Sequence, residues 1–266
     1  MPLNDFHIQI ATAYPDARRI PSKREHVFLV EIQTDEGRKS AYVKLLNIEA
    51  IAKEALCAVL ARKLFLPMLQ PYYVGVDRMT IEGVVPANAF NIAFGVEADS
   101  LPAFKLTDNQ MDQEVCLWPE ALRLAAFDEW IFNRDRIPKN LVFAGVGHFW
   151  LIDHDEALPS YASPPASANN RLLQLLSHDK SEFELYDMRR RLQTHIEEYK
   201  SIDWIEILAL LKPDVLPKSQ QIFRRHIGFL QQRTDHLDEI FSQVLGIRQG
   251  DLDLGLSTSA TKSKEK

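Results

Sequence analysis

Cysteine is scarce in this chain: Cys57 and Cys116 are the two present, each in an apolar, helix-like setting. Two such thiols make no disulfide framework, and reduced core thiols are the expectation. Long hydrophobic runs are missing as well. Charge breaks every apolar stretch before the roughly 18 residues a membrane span requires. The opening MPLNDFHIQIATAYPDARR lacks the basic start and apolar centre of a secretion signal. A cytoplasmic location without a membrane partner is therefore expected. Positive charge is not in excess either: the formal net charge is −6. That balance gives no broad footprint for nucleic acid, and direct nucleic-acid binding is not expected. What remains is an ordinary globular composition, 46% hydrophobic and 26% charged, over 266 residues. It suffices for one large core or for two lobes sharing a cleft.

The first part of the chain reads as β-rich. Residues 6–13, 26–33 and 39–46 alternate like strands, the last two joined by the turn Thr34-Asp35-Glu36-Gly37. Residues 48–66 have helical periodicity and end before Pro67, and two short strands are expected at 72–76 and 81–85. From about Leu117 the character changes. Residues 118–132 form an amphipathic helical pattern, and 159–170 is a loop rich in proline, serine and alanine. Helical patterns then fill 179–199, 203–212 and 217–246, and the segment 248–266 is too poor in apolar residues to hold a fold. The fold class is α+β.

The chemistry concentrates in FDEWIFNRDRIPKNLVFAGVGHFWLIDHDEAL, residues 127–158. Residues 141–143 and 148–152 can pair as a hairpin about Ala144-Gly145-Val146-Gly147, with Asn140 just before it and Asp153 just after. A hairpin makes the residues flanking its open end neighbours, within about the 5 Å of paired strands. An amide oxygen and a carboxylate placed together suit magnesium, which takes hard oxygen ligands. Asp135, on the loop leading in, is placed to accept a proton from a nucleophile or to orient it. Lys139 or Arg136 can stabilise charge on a transferring phosphoryl group, while Arg134 and Arg136 equally suit pinning the loop to nearby carboxylates. A lone D-x4-N carries almost no information, because Asp and Asn are common in loops. The hairpin with its following Asp makes the pattern specific. Asp153 and Asp155 also form a D-x-D, a weaker signal for a divalent ion in a nucleotide-sugar enzyme. His154 has no second His or Cys at metal-ligand spacing, so capping or packing is its reading. Trp130 reads as core, and Asp128 as a buried hydrogen-bonding support.

A phosphoryl-transfer site also needs a cation for the nucleotide phosphates. Lys44 lies in the apolar strand AYVKLL, where a lysine ordinarily faces solvent. Glu54 falls on the inward stripe of the next helix and needs a partner, which makes Lys44–Glu54 the preferred pair. Glu49 is the rival, although it stands four residues before Lys53, the favourable order for a solvent-facing helix pair.

Lys44, Glu54, Asp135-x4-Asn140 and the hairpin ending at Asp153 together resemble the protein-kinase-like fold. Within it, FDEWIFNRDRIPKN…FWLIDHDEAL is most similar to the HipA-like kinases, and more distantly to the phosphatidylinositol 3- and 4-kinases. The motifs cover about residues 20–160. The resemblance implies a kinase domain over 1–247, with a small β-rich lobe at about 1–95 and a mainly helical lobe at about 96–247. It implies ATP and Mg2+ as cofactors: Lys44 on the α/β-phosphates and paired with Glu54, Asp135 as base, Asn140 and Asp153 as metal ligands. Lys139 matches the lysine that precedes the asparagine. The expected activity is transfer of the ATP γ-phosphate to a protein Ser or Thr, with a pseudokinase module or a lipid or small-molecule kinase as alternatives. The chain departs from the pattern at Ile137, where His is frequent, and at IDHD, which lacks the glycine of DFG. The segment 14–25, where a phosphate-covering loop would fall, contains no glycine; Arg18, Arg19, Ser22, Lys23 and Arg24 are the residues there that could contact phosphates. Serines of this loop are autophosphorylated in some HipA-like proteins, which points to Ser22.

Overall fold

In a computed structural model, residues 6–20, 27–77, 79–81, 91–98, 106–136 and 140–247 are described. The strands are β1 (Gln9–Ala13), β2 (Arg18–Ile20), β3 (Val27–Thr34), β4 (Gly37–Lys44), β5 (Pro71–Val76), β6 (Asn91–Glu97), β7 (Leu141–Gly145) and β8 (His148–Leu151). The helices are α1 (Ile48–Lys63), α2 (Asp108–Leu117), α3 (Ala121–Trp130), α4 (Arg171–Ser177), α5 (Glu182–Lys200), α6 (Trp204–Leu210), α7 (Ser219–Thr234) and α8 (Leu237–Val244). This is the α+β class expected, with the large sheet in the first part of the chain.

That sheet runs β1-β5-β6-β4-β3-β2, and β1 also pairs with β3. Five strands therefore close into a ring, with β2 attached outside on β3. Alternation sets the two faces. Ala41 and Val43 of β4 point inward with Val30, Ile32, Tyr72 and Val74. Lys44 is paired with Phe94, which is paired with Tyr73, and both aromatics belong to the core around α1. Period-two geometry thus turns Lys44 toward α1 rather than away from it. At Gly95 a Cβ would lie 2.9 Å from Val74 Cγ2, so β6 can approach β5 only without a side chain there.

Helix α1 starts where Asn47 accepts the Ala50 N–H at 2.9 Å. It is buried almost all round. Its outer end is tied to α7 through Glu49, which receives Arg225 and lies 2.9 Å from His226 Nε2. Its last turn is tied to α6 by Lys63–Glu206 at 2.6 Å. Glu49, the rival partner for Lys44, is thus engaged by α7, and Lys44 pairs with Glu54.

Several expectations shift. The helix expected at 118–132 begins at Ala121, after Pro119. The helix expected at 217–246 breaks at Asp235-His236, where Thr234 turns its hydroxyl back to Leu230 O at 2.8 Å. Helices α2 and α4 and strands β2 and β6 were not anticipated. Most of the strand expected at 81–85, and the tail at 248–266, lie outside the described residues. Among the described residues, no helix is long and apolar enough to cross a membrane.

Candidate active site

Helix α3 delivers the loop that carries Asp135. Its end is a Schellman motif: Asn133 N–H bonds Asp128 O at 2.8 Å, and Phe132 N–H bonds Glu129 O at 3.1 Å. Phe132 takes the left-handed conformation at φ 55°, unusual for a bulky residue. Its ring lies under the Arg233 guanidinium at 4.7 Å, which anchors the turn. Asn133 then holds the loop from both ends. Its amide donates to Asp128 Oδ1 at 2.9 Å, and its Oδ1 accepts the Asp135 N–H at 3.2 Å.

Arg136 is the hub. Nε donates to Asp128 Oδ2 at 2.9 Å, and Nη2 to Asp128 Oδ1 at 3.3 Å. Nη1 donates to Asn140 O at 2.8 Å and Ile152 O at 2.7 Å, and Nη2 meets His154 Nε2 at 2.9 Å. Arg136 is 1% exposed and Asp128 fully buried. Of the two sequence readings for Arg136, pinning the loop is the one its contacts fit. One guanidinium clamps the open end of the β7–β8 hairpin, gripping the carbonyl just before β7 and the one just after β8. Leu141 pairs with Leu151 as the hairpin argument requires.

Asn140 and Asp153 flank that clamp. The Asn140 amide donates to Asp135 O at 2.6 Å and Asp135 Oδ2 at 3.2 Å. Asp153 stands in the left-handed region at φ 66°. Lys44 Nζ reaches Asp153 Oδ1 at 2.7 Å and Glu54 Oε1 at 2.9 Å. Glu54 Oε2 accepts the His154 backbone N–H at 3.0 Å. Burial pushes the Glu54 carboxyl up, but Lys44 opposite and hydrogen bonding from His154 outweigh it and hold it at about 2. Asp153 goes the other way. Burial raises it, Asp155 and Glu54 add to that, and Lys44 only partly compensates.

Ligand oxygens of Glu54, Asp153 and Asp155 lie within 4.8 Å of one another. Glu54 and Asp153 share Lys44, and with Asp155 they concentrate negative charge that a divalent ion would offset. The donor set is hard oxygen, and the Asn140 amide spends its N–H side on Asp135, so its oxygen is the atom a metal could use. These residues fit magnesium.

Two groups of expected residues gather here: Lys44 with Glu54 and Asp153, and Asp135 with Asn140. Lys139 and Ile137 lie outside the described residues, as do Ser22, Lys23 and Arg24. Arg18 and Arg19 are on the outer strand β2 and exposed. Trp130 is core as expected, stacked on Tyr199 at 4.2 Å. His154 does more than pack, because its ring nitrogen meets Arg136. The sequence signal for that was present only as its place beside Asp153.

A model of the HipA-like kinase family matches residues 33–204. The chain belongs to that family and is a kinase, a phosphotransferase; the family implies ATP binding. No match is found among curated proteins. Among solved structures, the proinflammatory kinase CtkA of Helicobacter pylori matches with a TM-score of 0.51 at 11% identity. The match covers 93% of this chain and 100% of that one. At that identity the likeness speaks for the fold alone.

Proposed function

We propose that this kinase transfers the γ-phosphate of ATP to a hydroxyl with magnesium, and that the acceptor is a protein Ser or Thr. The observation that carries the site is Lys44 Nζ bonded at once to Glu54 and to Asp153, residues far apart in sequence. In this reading the chain has two lobes, a β-rich one at about 1–95 and a mainly helical one at about 96–247, with the site where they meet. Support comes from β1–β6 and α1 falling within residues 9–97, with α2–α8 and only the short β7–β8 hairpin after them.

Lys44 would bind the α/β-phosphates, held in place by Glu54. Asn140 and Asp153 would hold magnesium, which when bound neutralises charge on the phosphates. Asp135 would accept the proton of the incoming hydroxyl. Its Oδ2 is engaged by Asn140, and among the described residues its Oδ1 has no hydrogen-bond partner. Lys139, beside Asn140 in sequence, would steady the transferring group. A hydroxyl on a protein fits a site whose base lies on a half-buried loop rather than in a closed cavity. The net charge of −6 offers no general attraction to a phospholipid surface.

The test is purified protein with labelled ATP and magnesium, beside Asp135→Ala and Asp153→Asn. Wild type should autophosphorylate, or transfer label to Ser/Thr peptides, well above both variants. Asp135→Ala should lose turnover more than binding, whereas Asp153→Asn should lose tight magnesium-ATP binding. Equal turnover in all three would sink the proposal, and retained nucleotide binding would then mark a binding module. Label on lipid or metabolite acceptors alone would overturn the protein-acceptor assignment.

A further inference from the structure

An arginine side chain carries five N–H groups and no acceptor. In Arg136 each of the five is spent: one on Asp128 Oδ2, one on Asp128 Oδ1, one on Asn140 O, one on Ile152 O and one on His154 Nε2. Because Arg136 can only donate, His154 Nε2 must be the acceptor. The imidazole is then neutral with its proton on Nδ1, which lies 3.5 Å from Glu54 Oε2. The ring is fully buried, in a T-shaped contact with Phe127. It stands between the residue that orients Lys44 and the residue that grips both ends of the hairpin. A phenylalanine would fill this space and supply no acceptor, leaving one guanidinium N–H orphaned in the interior.

We infer that His154 is a positioning residue for phosphoryl transfer: its Nε2 completes the Arg136 clamp and couples Glu54 on α1 to the Asp135–Asn140 loop. This rests on the phosphotransfer reading of the site and goes beyond it, since that reading gives His154 no role. Coupling through Arg136 sets the spacing between the carbonyl of Asn140 and that of Ile152, and so the places of the flanking Asn140 and Asp153.

Three substitutions separate the acceptor from the packing. A glutamine oxygen can occupy the place of Nε2, an asparagine oxygen reaches only the place of Nδ1, and phenylalanine keeps the ring alone. His154→Gln should retain most of the wild-type kcat. His154→Phe and His154→Asn should lose roughly ten- to a hundredfold, the cost of one orphaned buried donor. KM for magnesium-ATP should rise less than kcat falls. Wild-type kcat in His154→Phe, or a His154→Gln as poor as His154→Phe, would overturn the inference. A second measurement needs no variant to be active: 15N spectra of the wild-type imidazole, assigned by the signal missing from His154→Gln. A neutral ring protonated at Nδ1 is expected. A proton on Nε2 would overturn the inference, even if turnover equal to that of Asp135→Ala had already removed the phosphotransfer reading.

Discussion

Removing Asp128 should be among the most damaging single changes available in this chain. Its carboxylate takes two bonds from Arg136 and one from Asn133, and both charged partners are buried. In Asp128→Ala the guanidinium keeps its charge and its carbonyl contacts and loses its counter-ion. Breaking one side of a buried pair costs about 3–5 kcal/mol. For a chain of this size that is a fall in Tm of roughly 10 °C. Asp128→Asn retains one acceptor oxygen and should fall between wild type and Asp128→Ala. Urea unfolding followed by tryptophan emission suits the measurement, because Trp130 is buried two residues on and stacked on Tyr199. The decisive comparison is a double-mutant cycle. Arg136→Met alone should be similarly costly, but with Asp128→Ala it should cost less than the sum, by about 2 kcal/mol. Additive losses, or a loss below about 1 kcal/mol for Asp128→Ala, would refute the view that this ion pair fixes the loop carrying Asp135.

Further expectations follow from Glu54 and from a pair of glycines. The Glu54 carboxyl is lowered from 4.5 to about 2 in the folded protein, which corresponds to ~3 kcal/mol. A depressed carboxylate contributes fully above the unfolded value and loses its contribution as pH falls through the folded one. Glu54→Gln should therefore be markedly less stable than wild type at pH 7 and nearly equal to it near pH 2. Asp153 is raised and acts in the opposite sense in both proteins; a gap that stays constant with pH would contradict the Glu54 assignment. Gly95→Ala should destabilise by about 1–3 kcal/mol, because its Cβ would meet Val74 Cγ2 at 2.9 Å in a closed ring of strands. Gly228→Ala, in the middle of α7 with open space around it, should instead stabilise by up to ~1 kcal/mol. Melting curves of the pair decide it, and equal shifts would mean that space at Gly95 is not limiting.

What could be read from the sequence was what is local. The hairpin at 141–151 follows from a turn between two short apolar segments, and it brings Asn140 and Ile152 to one guanidinium. Glu54 announces itself as a carboxylate on an apolar helix stripe. Helix α2 also left a local signal, Thr107-x-x-Gln110, whose side chains cap its start. Asn170 caps α4 in the same way, accepting Leu173 N–H. What could not be read was the partner of a buried polar group. His154 meets an arginine on another loop and a glutamate on a distant helix, and an imidazole in a motif carries no mark of which. Strand β6 was obscured because Gly95 reads as a breaker, whereas here its missing side chain is what lets β6 lie beside Val74.

The position of Glu54 is set from outside the site. Glu49, in the first turn of α1, is held by Arg225 and His226 of α7, and Lys63, at the helix end, by Glu206 of α6. Tyr73 Oη reaches Leu211 O at 3.1 Å, and Ile8 N–H reaches Leu210 O at 3.2 Å. Moving α1 away from Lys44 would break the Glu49 and Lys63 contacts together and expose a helix buried on nearly every side. The same helix receives His154 through Glu54. Its placement thus follows from packing against the C-terminal helices, and the Lys44–Glu54 pair follows from its placement.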